Sequence, residues 1–151
     1  MDNGDLIPDF ELADETGTAR RLSEFLATGP VVLFCYPIAM SKGCTVESCY
    51  FRDLATEFKE LGASRIGLSG DSVKRQAAFS KAHDFDYPLL SDRDGAVTKM
   101  LGVRRGIARI PVKRWSFVIG SDSKVIEVIK SETSMHHHAD RALEVLRGAS
   151  A

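Results

Sequence analysis

The sequence lacks a long apolar segment, and no stretch approaches the ~20 residues needed to cross a bilayer. Residues 1–5 are acidic and have no apolar core of the kind that an export signal requires. The formal net charge is only −1, from 20 Lys and Arg against 21 Asp and Glu, which argues against a dedicated nucleic-acid binder. We therefore expect a cytoplasmic protein that binds neither membranes nor nucleic acids.

Cysteine is also scarce, since the chain has only Cys35, Cys44 and Cys49. Three cysteines are too few, and an odd number, for a disulfide scaffold. In a reducing compartment a cysteine pair is more often redox-active than structural. The chain has 151 residues, 44% of them hydrophobic and 27% charged, without a repeat or a low-complexity tract, and this predicts one globular domain over 1–151.

Strand and helix patterns alternate along the chain. The apolar run from Val31 to Tyr36 ends at Pro37 and predicts a strand buried on both faces of a mostly parallel sheet. The alternation predicts an α/β fold with a central mixed sheet flanked by helices. The other predicted elements are an N-terminal hairpin between residues 8 and 22, helices over about 45–61, 71–83, 95–101 and 138–146, and extended segments over 65–69, 87–90, 115–119 and 124–129.

The segment after the apolar strand carries the chemistry. It opens a predicted helix and places Cys44 at the helix N-terminus, where free backbone N–H groups and the helix dipole favour an anion. Pro37 and Gly43 indicate a tight loop there rather than a packed core. Cys35, in the middle of the apolar strand, is instead predicted to be a buried structural thiol.

The same segment resembles the active-site pattern of peroxiredoxins, Pro-x-x-x-Thr/Ser-x-x-Cys, and in particular the peroxiredoxin Q (bacterioferritin comigratory protein) subfamily. The likeness extends over nearly the whole chain. It departs from the subfamily at Ser41, where Thr is commoner, and at Lys42, where Pro is frequent. The residues that carry the likeness are Pro37, Ser41, Cys44-Thr45-x-Glu47-x-Cys49, Phe51-Arg52-Asp53 and Arg114 to Ile119.

This resemblance implies a thioredoxin-like fold and a thiol peroxidase that reduces hydrogen peroxide and organic hydroperoxides without metal, flavin or haem. It also implies that Cys44 is the peroxidatic cysteine and Cys49 the resolving cysteine. Ser41 would hydrogen-bond the peroxide and the thiolate, Arg114 would be the catalytic arginine, and Pro37 would shape the loop. A thioredoxin-like dithiol protein would reduce the resulting disulfide. We expect a monomer or a weak homodimer.

Ionisation of the thiol does not by itself explain fast peroxide reduction. A free thiol is about 3% ionised at pH 7, so full ionisation gains only about thirtyfold. Most of the rate must come from donors that stabilise charge on the departing oxygen. The candidates are Arg114, the Ser41 hydroxyl and the backbone N–H of Cys44. Arg114 opens a strand that we expect beside the strand ending at Pro37.

The spacing of Cys44 and Cys49 constrains their pairing. Along an intact α-helix, residues five apart have Cα atoms about 8.6 Å apart. A disulfide tolerates no more than about 7 Å. A bond between these two cysteines therefore predicts local unfolding of about residues 41–50.

Two alternatives remain open. A thiol–disulfide oxidoreductase of the same fold would carry Cys-x-x-Cys, whereas four residues separate Cys44 from Cys49. A thioredoxin-like copper-binding module would use the cysteines with His136, His137 and His138. Adjacent histidines at a helix start cannot all face one point, so we predict a solvated helix cap rather than a metal site.

Residues 95–121 contain no acidic side chain and form a basic segment. Such a segment predicts a local positive potential that helps an acidic reductase to dock. Its basic residues are Lys99, Arg104, Arg105, Arg109, Lys113 and Arg114.

Overall fold

A computed structural model describes residues 1–105 and 111–150, and in them seven strands form one sheet with helices on both faces. The order across the sheet is β2-β1-β5-β4-β3-β6-β7. The elements are β1 (Glu11–Ala13), β2 (Ala19–Arg21), α1 (Leu22–Leu26), β3 (Val31–Cys35), α2 (Lys42–Asp53), α3 (Ala55–Glu60), β4 (Ser64–Ser69), α4 (Val73–His83), β5 (Leu89–Ser91), α5 (Ala96–Leu101), β6 (Trp115–Ile119), β7 (Val125–Lys130) and α6 (Met135–Ser150).

The sheet is mixed, and its N-terminal hairpin is β1 with β2, as predicted. Parallel pairing is confined to β3, β4 and β5, while the other strand pairs are antiparallel. The predicted mixed sheet is therefore confirmed, although only two of its six strand pairs are parallel. The apolar run of β3 indicates that both faces of this strand are buried. It does not indicate whether the neighbouring strands run parallel or antiparallel to it.

Strand β3 supplies both cores of the protein, because its side chains alternate between the two faces of the sheet. Leu33 and Cys35 face the core that α1 and α5 cover. Val32 and Phe34 face the core that α2, α3, α4 and α6 cover, and Cys44 belongs to that second core. Cys35 and Cys44 are thus on opposite faces of the sheet.

The predicted helix over 45–61 is two helices. Helix α2 ends at Asp53, since the backbone of Leu54 (φ −97°, ψ 21°) leaves the helical region, and α3 follows. Both helices continue one apolar stripe, so the periodicity did not reveal the break. Helix α2 also begins at Lys42, earlier than predicted, because the polar first turn after the extended residue Ser41 carries no periodic signal.

Two other helices differ from the predictions. Helix α6 begins at Met135 rather than at His138, and the five-residue helix α1 was not predicted. The remaining helices lie close to the predicted ranges. No helix in the described part of the chain combines the length and the apolar character that a membrane crossing needs.

Sheet topology brings the important segments together. Strand β6 runs antiparallel to β3, with Ser116 opposite Phe34, so β6 begins where β3 ends. Arg114, immediately before β6, therefore lies beside the loop that leads from β3 to Cys44. Helices α2 and α6 pack against each other on the same face.

Candidate active site

Cys44 lies in the first turn of α2, as the sequence predicts, and it is fully buried. The carbonyl of Ser41 closes this turn by accepting the Thr45 N–H at 2.9 Å and the Thr45 hydroxyl at 2.7 Å. The sulfur is therefore next to backbone N–H groups that have no partner within the helix. This is a favourable place for a thiolate.

Arg114 bridges the sulfur and a buried carboxyl group. Its Nη2 donates to Cys44 Sγ at 3.4 Å, and its Nη1 donates to Glu47 Oε1 at 3.0 Å. A Cβ atom at Gly43 would lie only 3.2 Å from Nη2, so the glycine leaves room for the guanidinium. The backbone N–H of Arg114 donates to the Glu132 carboxylate at 3.2 Å, and this bond fixes the main chain at Arg114. The predicted approach of Arg114 to Cys44 is confirmed in this geometry.

The cluster of Cys44, Glu47 and Arg114 contains one permanent cation, the Arg114 guanidinium, and two acidic groups, the Glu47 carboxyl group and the Cys44 thiol. Burial raises the pKa of Glu47 to about 8, although the neighbouring Arg114 acts in the opposite direction. Burial also opposes the charge of Arg114, but Glu47 and Cys44 together keep the pKa of its guanidinium raised. A neutral Glu47 leaves the positive charge of Arg114 available to the Cys44 thiolate.

His138 is a member of this cluster that sequence reasoning missed. Its Nε2 lies 2.7 Å from the Ser131 carbonyl oxygen and its Nδ1 lies 2.8 Å from Ser116 Oγ. A carbonyl oxygen only accepts, so Nε2 carries the proton and Nδ1 accepts from the serine hydroxyl. Burial lowers the pKa of His138 to about 4, so the ring is neutral at pH 7. The same Nε2 is 3.6 Å from Glu47 Oε2.

The prediction of a solvated histidine cap is wrong for His138 and correct for the exposed His136 and His137. Because α6 begins at Met135, His138 faces inward on the same stripe as Ala142. The helical spacing of these two positions was the signal that would have found it. Within residues 1–105 and 111–150, no group of three or more His, Cys, Asp or Glu side chains is arranged to hold a metal ion.

Ser41 and Pro37 occupy the loop between β3 and α2. Pro37 follows the last apolar residue of the β3 run and is half-buried. The Ser41 hydroxyl donates to the Ile38 carbonyl at 2.8 Å, so its single proton is directed into the loop. Contact of this hydroxyl with peroxide stays a prediction, and it would require the hydroxyl to rotate.

The same loop is anchored by Asp71, just before the N-cap of α4, and by Arg75 in α4, neither of which sequence reasoning assigned to the site. Asp71 Oδ2 accepts the Ala39 N–H at 2.7 Å, and Arg75 Nη2 donates to the Ala39 carbonyl at 3.1 Å. Arg75 Nε also donates to Asp71 Oδ1 at 3.1 Å. No local pattern signals these contacts, because more than 30 residues separate the partners in the chain.

Cys49 is on the same continuous helix as Cys44, and both are free thiols. Five residues of helix separate their Cα atoms by about 8.6 Å, which excludes a disulfide while α2 is intact. Cys49 is half-buried, and burial raises its pKa. Burial raises the pKa of Cys35 far more strongly, which agrees with a structural thiol.

Comparison with known proteins places this geometry in a family. Residues 3–128 match the AhpC/TSA family. The chain is a peroxiredoxin of the AhpC/TSA family. It is 58% identical over 149 residues to a Mycobacterium tuberculosis chain named as a peroxiredoxin, covering 97% of both. It is 34% identical to the chloroplastic peroxiredoxin Q of Sedum lineare, covering 95% of this chain and 77% of that protein.

Solved peroxiredoxin structures confirm the predicted thioredoxin-like fold. Peroxidoxin BcpB from Mycobacterium tuberculosis superposes with a TM-score of 0.95 at 57% identity, covering 98% of this chain and 97% of that one. The bacterioferritin comigratory protein of Xanthomonas campestris gives a TM-score of 0.85 at 28% identity, covering 94% and 92%. As a peroxiredoxin, the chain is a thiol peroxidase and hence an oxidoreductase. This favours peroxide chemistry over the copper-module and thiol–disulfide oxidoreductase alternatives.

Proposed function

We propose that Cys44 is the peroxidatic cysteine, and the contact of Arg114 with its sulfur at 3.4 Å carries this proposal. The Cys44 thiolate attacks the terminal oxygen of a hydroperoxide, so an S–O bond forms as the O–O bond breaks. The products are a sulfenic acid on Cys44 and water or an alcohol, once the departing oxygen has taken up a proton. Arg114 stabilises the negative charge that develops on that oxygen.

The second step joins the two cysteines of α2. The Cys49 thiol attacks the sulfenic sulfur of Cys44, an S–S bond forms, the S–O bond breaks and water leaves. Because the intact helix holds the sulfurs apart, the first turns of α2 unwind beforehand. A thioredoxin-like dithiol protein then reduces the disulfide and restores both thiols.

Contacts of α2 support unwinding from its N-terminal end only. The Phe51 ring stacks on Phe34 in the core, with centroids 4.2 Å apart, and Arg65 Nη1 donates to the Phe51 carbonyl at 2.8 Å. The Tyr87 hydroxyl donates to the Ser48 carbonyl at 2.6 Å. The two Phe51 contacts hold the C-terminal end of the helix and support the predicted limit of unwinding near residue 50, whereas the hydrogen bond of Tyr87 to Ser48 lies inside the predicted segment and must break.

The proposed substrates are hydrogen peroxide and organic hydroperoxides. Alkyl peroxide reduction is named for the Xanthomonas relative. Met40 and Val46 are exposed apolar side chains close to Cys44 in the chain, and they suit an alkyl group. The expected location is the cytoplasm, where dithiol reductants are available.

The basic segment stays a predicted docking surface for an acidic reductase. Arg105 is already partly neutralised, because its Nη2 donates to Glu132 at 2.6 Å. Arg109 lies outside the described residues. A monomer or weak homodimer remains our expectation for the assembly.

The test is peroxide consumption coupled to thioredoxin and its reductase. We expect Cys44→Ser to abolish it and the matched variant Cys35→Ser to retain it, because Cys35 is on the other face of the sheet. Cys49→Ser is expected to be oxidised once by peroxide and to lose thioredoxin-driven turnover, unless a small thiol takes over resolution. Full turnover by Cys44→Ser would overturn the assignment.

A further inference from the structure

We propose that Arg75 and Asp71 are positioning residues for the oxidation of Cys44. They hold the turn over residues 38–41, which leads into α2, in a backbone conformation that the sequence of the turn disfavours. This inference rests on the proposed role of Cys44 as the peroxidatic cysteine.

The turn carries an unusual residue at its third position. The Ser41 N–H donates to the Ile38 carbonyl at 3.4 Å, which closes a four-residue turn. Met40, the third residue, has a φ of 68°. A type II turn requires such a left-handed residue there, and Gly or Asn normally supplies it. A residue with a Cβ atom disfavours this region by roughly tenfold in population relative to glycine, so a further interaction must select the observed turn.

Both polar backbone groups of Ala39, the second residue of the turn, are bound by side chains outside the turn. The Ala39 N–H donates to Asp71 Oδ2 at 2.7 Å, and the Ala39 carbonyl accepts from Arg75 Nη2 at 3.1 Å. This carbonyl belongs to the peptide group between Ala39 and Met40, whose orientation distinguishes a type I from a type II turn. The type I orientation would give Met40 a negative φ, but it would turn the carbonyl away from Arg75. The hydrogen bond from Arg75 therefore favours the left-handed Met40.

The two side chains that bind Ala39 are themselves held in place. Arg75 Nε donates to Asp71 Oδ1 at 3.1 Å, which orients the guanidinium although the Arg75 side chain is 53% exposed. The Asp71 side chain is only 9% exposed, and its Oδ2 also accepts from the Ser69 hydroxyl at 2.7 Å. Ser69 ends β4, and Gln76 of α4 donates to the same hydroxyl at 3.0 Å. The turn is thus tied to β4 and α4, and not only to the helix that it precedes.

Ser41, the fourth residue of the turn, connects this arrangement to the active site. It is the N-cap of α2, and its carbonyl accepts the Thr45 N–H, so its position sets the helical turn that carries Cys44. Its hydroxyl is also the predicted contact of the peroxide. A misplacement of about 1 Å can slow a reaction by about a hundredfold. Loss of the Arg75 contact should slow oxidation, because Met40 then relaxes towards a negative φ and displaces Ser41.

The experiment measures the oxidation of Cys44 by hydrogen peroxide in the full-length, reduced protein. Samples are quenched at successive times, and mass spectrometry reports the remaining Cys44 thiol after alkylation and the sulfenic acid trapped with dimedone. In Arg75→Met we expect oxidation to be about tenfold slower. When Arg75→Met is combined with Met40→Gly, we expect it to slow oxidation less than about threefold relative to Met40→Gly alone, because glycine adopts a positive φ without help from Arg75.

A matched control and a second test use neighbouring residues. Lys74→Met removes the same charge from the adjacent, exposed position of α4, and we expect it to oxidise at the wild-type rate. Asp71→Asn keeps an oxygen that accepts from Ala39, but its amide group cannot also accept from Arg75 Nε. We expect Asp71→Asn to reproduce the slower oxidation and its relief by Met40→Gly, and it replaces Arg75→Met if that protein fails to fold.

The outcomes separate this inference from the proposed function. Wild-type protein that forms no sulfenic acid on Cys44 would overturn the proposed function and the positioning role together. With a working wild type, an unchanged rate in Arg75→Met, or equal slowing in Lys74→Met, would overturn the positioning role alone. Slowing of the same size with and without Met40→Gly would also overturn it, because a general loss of stability does not depend on the residue at position 40. Slowing in Arg75→Met that Met40→Gly relieves supports the inference.

Discussion

Replacement of Glu47 by glutamine tests the charge state of the buried cluster. Glu47 is fully buried, and burial raises its pKa to about 8 despite the nearby Arg114. Glutamine keeps the volume of the side chain and an oxygen that accepts from Arg114 Nη1, but it cannot ionise. Any change in the pH dependence of stability between the two proteins therefore reports the ionisation of this one carboxyl group.

The sign and size of the effect follow from the two pKa values. In the unfolded chain a glutamate titrates near ~4.3, so between there and about 8 the folded protein holds a proton that the unfolded chain has released. The free energy of unfolding then falls as pH rises, by about 1.4 kcal/mol per pH unit. Between about pH 6.5 and 8 the wild type should lose about 2 kcal/mol that Glu47→Gln retains. Below about pH 4 the carboxyl group is protonated in the folded and in the unfolded chain, so it does not make the free energy of unfolding depend on pH.

The assay is urea unfolding under reducing conditions at several pH values, followed by circular dichroism. The measurements are made above about pH 6.5 to exclude an effect of His138. The pKa of His138 is lowered to about 4 in the folded protein, so this residue changes the free energy of unfolding with pH only below the pKa of a histidine in the unfolded chain. Both proteins carry Cys44→Ser in this assay, so that the thiol that shares Arg114 with Glu47 does not contribute to the difference. A constant difference, or a wild type that gains stability relative to Glu47→Gln as pH rises, would show an ionised Glu47 and refute the reasoning.

Three further predictions concern the same helix and its contacts. Arg114→Lys should slow oxidation of Cys44 about a hundredfold in stopped-flow measurements, because one ammonium cannot bridge the sulfur and the carboxyl group; a change below threefold would contradict this. Tyr50→Phe removes the hydroxyl bond to Asp140 that joins α2 to α6, so disulfide formation should accelerate about two- to tenfold while oxidation is unchanged. Gly43→Ala should raise helix stability by up to about 1 kcal/mol, yet slow oxidation because the new Cβ would lie 3.2 Å from Arg114 Nη2. A Gly43→Ala protein of wild-type oxidation rate would mean that Arg114 is not closely confined.

Local sequence patterns were sufficient to predict the features of the fold that depend only on residues close together in the chain. The apolar run of β3, the hairpin of β6 and β7, and the start of a helix close to Cys44 all follow from the spacing of apolar residues, glycine and proline. The spacing of Cys44 and Cys49 on one helix likewise indicates that a disulfide between them would require unwinding. The family resemblance added Arg114, which lies 70 residues from Cys44 in the chain.

Tertiary structure alone decided the direction of the strands, the break at Leu54 and the partners of the active site. The periodic spacing of apolar side chains indicates which face of a helix or strand is buried, but it does not indicate which other element covers that face. Thus His136, His137 and His138 are alike in sequence, and only the packing of α6 against α2 buries the last of them beside Glu47. The raised pKa of Glu47 has the same origin, since the burial that raises it, against the effect of the neighbouring Arg114, exists only in the folded chain.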